Sequence, residues 1–346
     1  MAGRTRRDGR LHLVVPIEDA AEPERTRITF GSCADMDLAT QATFYSIIEQ
    51  DPDVLVLLGD TPYIDSTDPE RQRERYAEFA AGIGFVDARG SFPIYGTWDD
   101  HDFGRNDTDG NLDGKENSRA AFIAHYEPLG NATFGNGEEG VYTSFVVGNV
   151  EVFLLDTRYF AATEPSPFDA DTPTLLGEGQ WDWLRAGLSA SEADFKVLAC
   201  GMIWNGAVRP GKPDHWASYP HEYDGLMQFI GDEQIAGVVL VGGDIHRSRC
   251  IEHDTADAAG YVIREFITSP MHHRIIDTAN QPHDGLVFDA GVPHSFLLLE
   301  TDMTEQGEPL LLARFLSAAR NLAGEPETVE HFRVGLPLGS LSGDAE

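Results

Sequence analysis

The chain has 346 residues, 41% apolar and 10% aromatic, enough to bury one sizeable core. Its formal net charge is -33, and its only lysines are Lys115, Lys196 and Lys212. A surface this acidic repels nucleic acid and anionic membranes at long range, and no apolar run approaches the roughly 18–20 residues of a membrane span.

From the N-terminus, residues 1–27 read as a tail. Arg6-Arg7 is followed by no apolar stretch of signal length, Leu11–Pro16 being too short. The protein is therefore expected in the cytoplasm, with loss of an export leader as the competing reading. Ile28–Cys33 predicts the first strand, and Asp37 a cap for a helix over Leu38–Gln50. Val54–Leu58 is a continuous apolar run, as in a strand buried on both faces. Asp68-Pro69 predicts a helix start, with the helix reaching about Gly82. Phe92–Trp98 is another short strand, polar Asp99–Glu116 a loop, and Asn117–Glu127 a helix.

Tyr142–Val147 and Val150–Leu155 flank Gly148-Asn149, a two-residue hairpin turn. Residues 160–178, rich in Pro, Thr and Asp, predict a surface loop, and Trp181, Leu184 and Leu188 mark one helix face. Lys196–Cys200 and Gly237–Val241 are buried strands, with a helix near Tyr223–Ile230 between them. Tyr261–Thr268, Ser295–Glu300 and Leu310–Ser317 read as later strands of antiparallel character. Strands alternating with helices imply an α/β protein. One domain over 28–317, with tails at 1–27 and 318–346, fits this pattern. The cysteines Cys33, Cys200 and Cys250 give no disulfide framework.

The informative feature is where potential metal ligands fall. Cys33 closes the first strand. Asp60 follows VLVLLG, with Tyr63 three residues on. Asp99, Asp100, His101 and Asp102 follow FPIYGTW, and Asp244 and His246 follow GVVLVGG. One such junction is an ordinary turn or helix cap. Repeated at several strand ends, these junctions converge on one edge of an open α/β sheet, where ligand sites form. Carboxylates with histidine suit two hard or borderline cations, and Asp60 can bridge a pair. Such a pair makes hydroxide from a bound water near neutral pH and offsets phosphate charge that this acidic chain would repel. The thiolate of Cys33 and the phenolate of Tyr63 favour a trivalent ion such as iron. His101, beside Asp100, is placed to protonate a leaving oxygen. Arg105, Asn106, Arg158 and Arg247 lie beside these motifs as candidate phosphate-binding residues. His272-His273 follows Ser269-Pro270 and is a further candidate for lining the pocket.

The segments FGSCAD (Phe30–Asp35), GDTPYID (Gly59–Asp65), TWDDHDFGRND (Thr97–Asp107) and GGDIHRS (Gly242–Ser248) resemble those of PhoD-like alkaline phosphatases, within the calcineurin-like metallophosphatase superfamily. LLDTRYF (Leu154–Phe160), LGEGQWDWL (Leu176–Leu184) and HWASYPHEYDGL (His215–Leu226) also resemble the family, so the likeness spans about Ile28 to Ser317. It implies a four-layer sandwich, two mixed β-sheets packed face to face with helices outside. It implies that Cys33, Asp60, Tyr63 and His246 bind Fe(III), and that Asp60 and Asp100 bind a second ion, Ca(2+) in the better-known members; other divalent cations remain candidates. Asp244 stands where related enzymes place a histidine beside their last ligand, and His101 matches their catalytic histidine. The usual first motif, Asp-x-His, reads Cys33-Ala34-Asp35 here, leaving Asp35 open as a ligand. No Gly-His follows Leu198–Gly201; Asn205 or His215 is the candidate replacement.

The implied activity is hydrolysis of phosphomonoesters or phosphodiesters by a metal-bound hydroxide, with a small phosphate ester as substrate. A non-catalytic metal- or ligand-binding protein on the same fold is the alternative. No motif speaks to oligomeric state.

Overall fold

A computed structural model describes residues 25–131, 133–320 and 323–343, together with the backbone of Arg6–Arg7 and Arg10–Leu11, which pair antiparallel. Most of the expected N-terminal tail lies outside the described residues.

Two mixed sheets form the centre. The first has six strands in the order Pro326–Pro337, Pro309–Arg320, Ser295–Met303, Arg27–Gly31, Val54–Leu58, Ile94–Thr97. Its last three strands are mutually parallel, and the others pair antiparallel. The second has seven, in the order Leu286–Ala290, Ser248–Glu252, Arg264–Ile267, Val238–Gly242, Phe195–Ala199, Val150–Leu154, Thr143–Val147. Its four inner strands from Arg264–Ile267 to Val150–Leu154 are parallel.

Alternation along one strand shows how the layers stack. Val54, Val56 and Leu58 join the core shared with the second sheet, through Val152, Leu198 and Leu240. Leu55 and Leu57 point the other way, into a core with Phe44, Phe79, Phe85 and Phe122 from the covering helices. Asp37 caps the Leu38–Ile48 helix, accepting from the Thr40 N–H at 2.6 Å, and Asp68 caps Pro69–Ala80. On Gly177–Ala190 the apolar face Trp181, Leu184 and Leu188 is fully buried, each side chain contributing on the order of 1.5–3 kcal/mol. Pro220–Asp232 covers the same sheet through Leu226, Met227 and Ile230.

Four stretches differ from expectation. Asp99–Glu116 is not all loop. Asp100–Phe103 forms one helical turn, because the Asp99 and Asp102 side chains cap each other's backbone N–H reciprocally. Ile83–Ser91 adds a helix, and Ser248–Glu252 a strand directly behind His246. Residues 318–346, read as a tail, include the Pro326–Pro337 strand, paired with Pro309–Arg320 from Leu310↔Pro337 to Arg320↔Pro326. As an edge strand with one face to solvent, it carries Glu327, Glu330, His331 and Arg333 and hides its period behind charge.

Candidate metal centre

Parallel strands deliver their C-terminal ends to one edge, and each expected ligand sits two to five residues past such an end. The chain must turn sharply there. Cys33 (φ 53°), Asp60 (52°), Asp244 (62°) and His246 (52°) all occupy the left-handed region, which costs a non-glycine residue about 1–2 kcal/mol. Backbone bonds between loops hold the strain: Cys33 N–H to Gly59 C=O at 3.2 Å, Ala34 N–H to Asp60 C=O at 3.0 Å, Gly243 N–H to Gly201 C=O at 2.9 Å. Gly59 (φ 86°) is required outright, since a Cβ there would lie 2.2 Å from the Asp99 nitrogen.

The donors converge. Ligand atoms of Cys33, Asp60 and His246 lie within 4.8 Å of one another, as do those of Asp60, Asp100 and His101, and those of Asp100, Asp107 and Asp214. Asp60 is shared by the first two sets and Asp100 by the last two. The Tyr63 hydroxyl sits 2.9 Å from His246 Nε2, and Cys33 Sγ 3.7 Å from both Asp60 Oδ2 and the Asp244 carbonyl. Asp244 is buried, with its Oδ2 facing Arg209 Nη1 at 3.6 Å.

Electrostatics say what the cluster lacks. Burial, then the Asp60 charge, pushes the Cys33 thiol far up; burial, then Asp100, pushes Asp60 far up; burial, then Cys33, raises Tyr63. Burial and Asp214 lift Asp244 to about 6, while burial and Arg274 depress His246 to about 4. Every shift disfavours the ionised form. Among the described residues, Asp100 Oδ1, Asp244 Oδ2 and His246 Nδ1 are buried without a hydrogen-bond partner. Anionic donors crowded together, with orphaned lone pairs, fit cations.

The remaining expected site residues fall as follows. His101 is about a quarter exposed; its N–H donates to Asp60 Oδ1 at 3.3 Å, its Nδ1 meets Asp65 Oδ1 at 2.5 Å, and its Nε2 lies 3.9 Å from Asp100 Oδ1. Arg105 and Asn106 are exposed beside Asp107, whose N–H donates to Asp100 Oδ2 at 2.6 Å. Arg247 is 9% exposed and forked onto Asp289 at 2.9 and 2.5 Å. Arg158 is buried with its guanidinium bonded to Asp99 and Asp214, so it sets those carboxylates in place. Asp35 turns to Arg75 and Arg274, outside the donor sets. Asn205 caps a short turn through Ala207 N–H, and His215 meets Ser218; Asp214, next along, joins a donor set instead. Sequence reasoning missed Asp65, Asp107 and Asp214. Asp65 was visible in GDTPYID, but nothing local announces its partner 36 residues away.

His272 is fully buried. Its backbone N–H bonds the Cys33 carbonyl at 3.1 Å, and its Nδ1 accepts the Arg274 N–H at 2.9 Å. A neutral ring accepting at Nδ1 carries its proton on Nε2, which lies 3.1 Å from the Tyr63 hydroxyl oxygen. His272 therefore donates to Tyr63 and is not itself free to ligate. His272→Leu is expected to weaken metal affinity roughly 10- to 100-fold, measured by competition with a chelator, and His272→Gln to recover part of the loss. Equal affinity in all three proteins would remove this role.

Stacked sheets flanked by helices, with carboxylate, imidazole and thiol donors at the strand ends, define a protein of the metallophosphatase fold. Solved structures agree on the fold: PhoD (TM-score 0.72, 18% identity, 92% of this chain and 70% of that one), the purple acid phosphatase PPD1 of yellow lupin (0.59, 12%, 89% and 54%), and a dimetal phosphatase from Danio rerio (0.50, 13%, 89% and 99%). The chain belongs to the PhoD-like phosphatase family, whose profile matches residues 28–296. It is 27% identical over 280 residues to alkaline phosphatase D of Bacillus subtilis (strain 168), an alignment spanning 68% of this chain and 48% of that protein. The chain thus spans about half the length of this curated relative.

Proposed function

We propose that the protein is a metal-dependent phosphoesterase hydrolysing phosphomonoesters, phosphodiesters or both. The observation that carries this reading is Asp60, buried and shared by two adjacent donor sets, with His101 completing the second. Cys33, Tyr63, His246 and Asp60 would hold the ion of higher charge, Fe(III), since thiolate and phenolate are anionic donors. Asp60, Asp100 and Asp244 would hold a harder divalent ion, Ca(2+) or a substitute. Cations held by these residues would supply a hydroxide nucleophile near neutral pH and would neutralise phosphoryl charge.

The chain's own residues do the rest. Asp65 fixes His101 through Nδ1, which leaves Nε2 toward Asp100 and the reacting group. A proton on Nε2 can then pass to the departing oxygen. His101→Ala is expected to lower kcat about 10²- to 10⁴-fold for alkyl phosphates, and much less for aryl phosphates with good leaving groups. Uniform slowing of both classes would exclude the acid role. Aryl mono- and diester hydrolysis with metal analysis, before and after chelation, tests the whole reading. Bound metal without turnover would instead favour a non-catalytic binding protein.

A further inference from the structure

Resting on the phosphoesterase reading, we propose that Arg209 and Lys212 form an anion subsite beside the metal centre. It would select phosphate esters whose leaving portion carries a second negative group, a phosphate or carboxylate.

Both residues lie on the loop between the Phe195–Ala199 strand and the Pro220–Asp232 helix. They line a polar cavity of about 760 Å³ with Asp107, Thr278 and Gln281. In a chain of charge -33 with three lysines, the positions of those lysines are informative. Lys115 is tied to the carbonyls of Gly110 and Tyr159, and Lys196 to that of Ala193. Lys212 alone of the three lines a cavity at the metal centre, with Nζ 2.6 Å from Asp107 Oδ1. Arg209 faces Asp244 at 3.6 Å.

These counter-ions are themselves candidate ligands. Asp107 shares a donor set with Asp100 and Asp214, and Asp244 carries an orphaned oxygen. Carboxylates committed to cations are weaker partners for Arg209 and Lys212, which then present two positive charges to the cavity. Side-chain exposures of 22% and 20% keep that field less screened than at an open surface. Cys33, Asp60 and His246 are not among the residues that line the cavity, whereas Thr278 and Gln281 are, so the subsite takes the leaving portion and not the group under attack.

The experiment uses metal-loaded full-length protein and two aryl phosphates of matched leaving-group acidity, one neutral and one bearing a remote carboxylate. Wild type is expected to prefer the anionic substrate in kcat/KM. The double variant Arg209→Gln, Lys212→Gln is expected to lose roughly 10- to 100-fold more on the anionic substrate than on the neutral one, mainly in KM. Absence of a preference in wild type, its persistence in the double variant, or equal losses on both substrates would each overturn the subsite. Equal losses would assign the two cations to the reacting phosphoryl group. Failure of wild type to turn over either substrate counts against the phosphoesterase reading itself. Calorimetric binding of phosphonoacetate against methylphosphonate, in wild type and double variant, then decides the subsite independently, with equal affinities rejecting it.

Discussion

Asp60→Asn is expected to cut turnover by about 10³-fold or more, because under the proposed function it would weaken both adjacent cation sites at once. The same change should not destabilise the chelated protein. Asp60 is buried, and burial with the neighbouring charge of Asp100 already disfavours its ionised form. An amide of the same shape keeps the Oδ1 that accepts the His101 N–H at 3.3 Å, and it removes a charge that is uncompensated without cations. The thermal midpoint in chelator should therefore match or exceed wild type, while metal content per chain falls. Asp100→Asn should behave alike in turnover, since Asp100 joins the second and third donor sets. Substantial activity retained by either variant refutes the site assignment. A large loss of stability in chelator would show that these carboxylates serve the fold.

The second large effect is on stability against pH in chelator. Burial lifts Asp102 to about 7, with backbone hydrogen bonds only partly opposing, and holds Asp60 and Asp99 well above the usual carboxylate range. The native state then binds more protons than the unfolded chain, so these groups lower stability as pH rises from about 4 through their native values. Buried histidines act oppositely. His125 and His246 are held down to about 4 and His272 to about 3, chiefly by burial, so they add stability as pH rises toward their unfolded value of about 6.5. The two trends offset below about pH 6.5, and only the carboxylate loss remains above it. Chelated protein should be most stable near pH 6 and decline toward pH 8. Forcing even one carboxylate from about 6 instead of 3.8, as at Asp244, corresponds to roughly 3 kcal/mol. Adding Ca(2+) or Fe(III) should flatten the decline and raise the midpoint at pH 8 by several degrees. Differential scanning fluorimetry across pH, with and without cations, measures this. A flat profile in chelator would mean that the cluster is not charge-strained.

Legibility followed local pattern. Val54–Leu58 and Val238–Gly242 are five-residue apolar runs breaking abruptly into Gly-Asp, and both proved to be central parallel strands. The amphipathic face of Trp181, Leu184 and Leu188 and the Gly148-Asn149 hairpin were read for the same reason. Ser248–Glu252 was not, because its arginine and glutamate interrupt the apolar pattern although the strand is largely buried. Arg249 is neutralised there by Asp289, 40 residues away. Asp214 was passed over because no strand precedes it. Its place is set by a fork to Arg158, 56 residues back, at 2.7 and 3.0 Å.

The sequence by itself determined the strand ends that carry Cys33, Asp60, Asp100 and His246, since apolar period and turn chemistry act over a handful of residues. Tertiary structure alone decided which of the many other acidic groups join them. It turned Arg158 and Arg247 onto carboxylates, put Asp65 behind His101, aimed His272 at Tyr63 and left Arg209 and Lys212 facing a cavity. Those pairings depend on loop closure across tens to hundreds of residues, and in a chain with 58 acidic and 25 basic residues no local signal selects one pair from the rest.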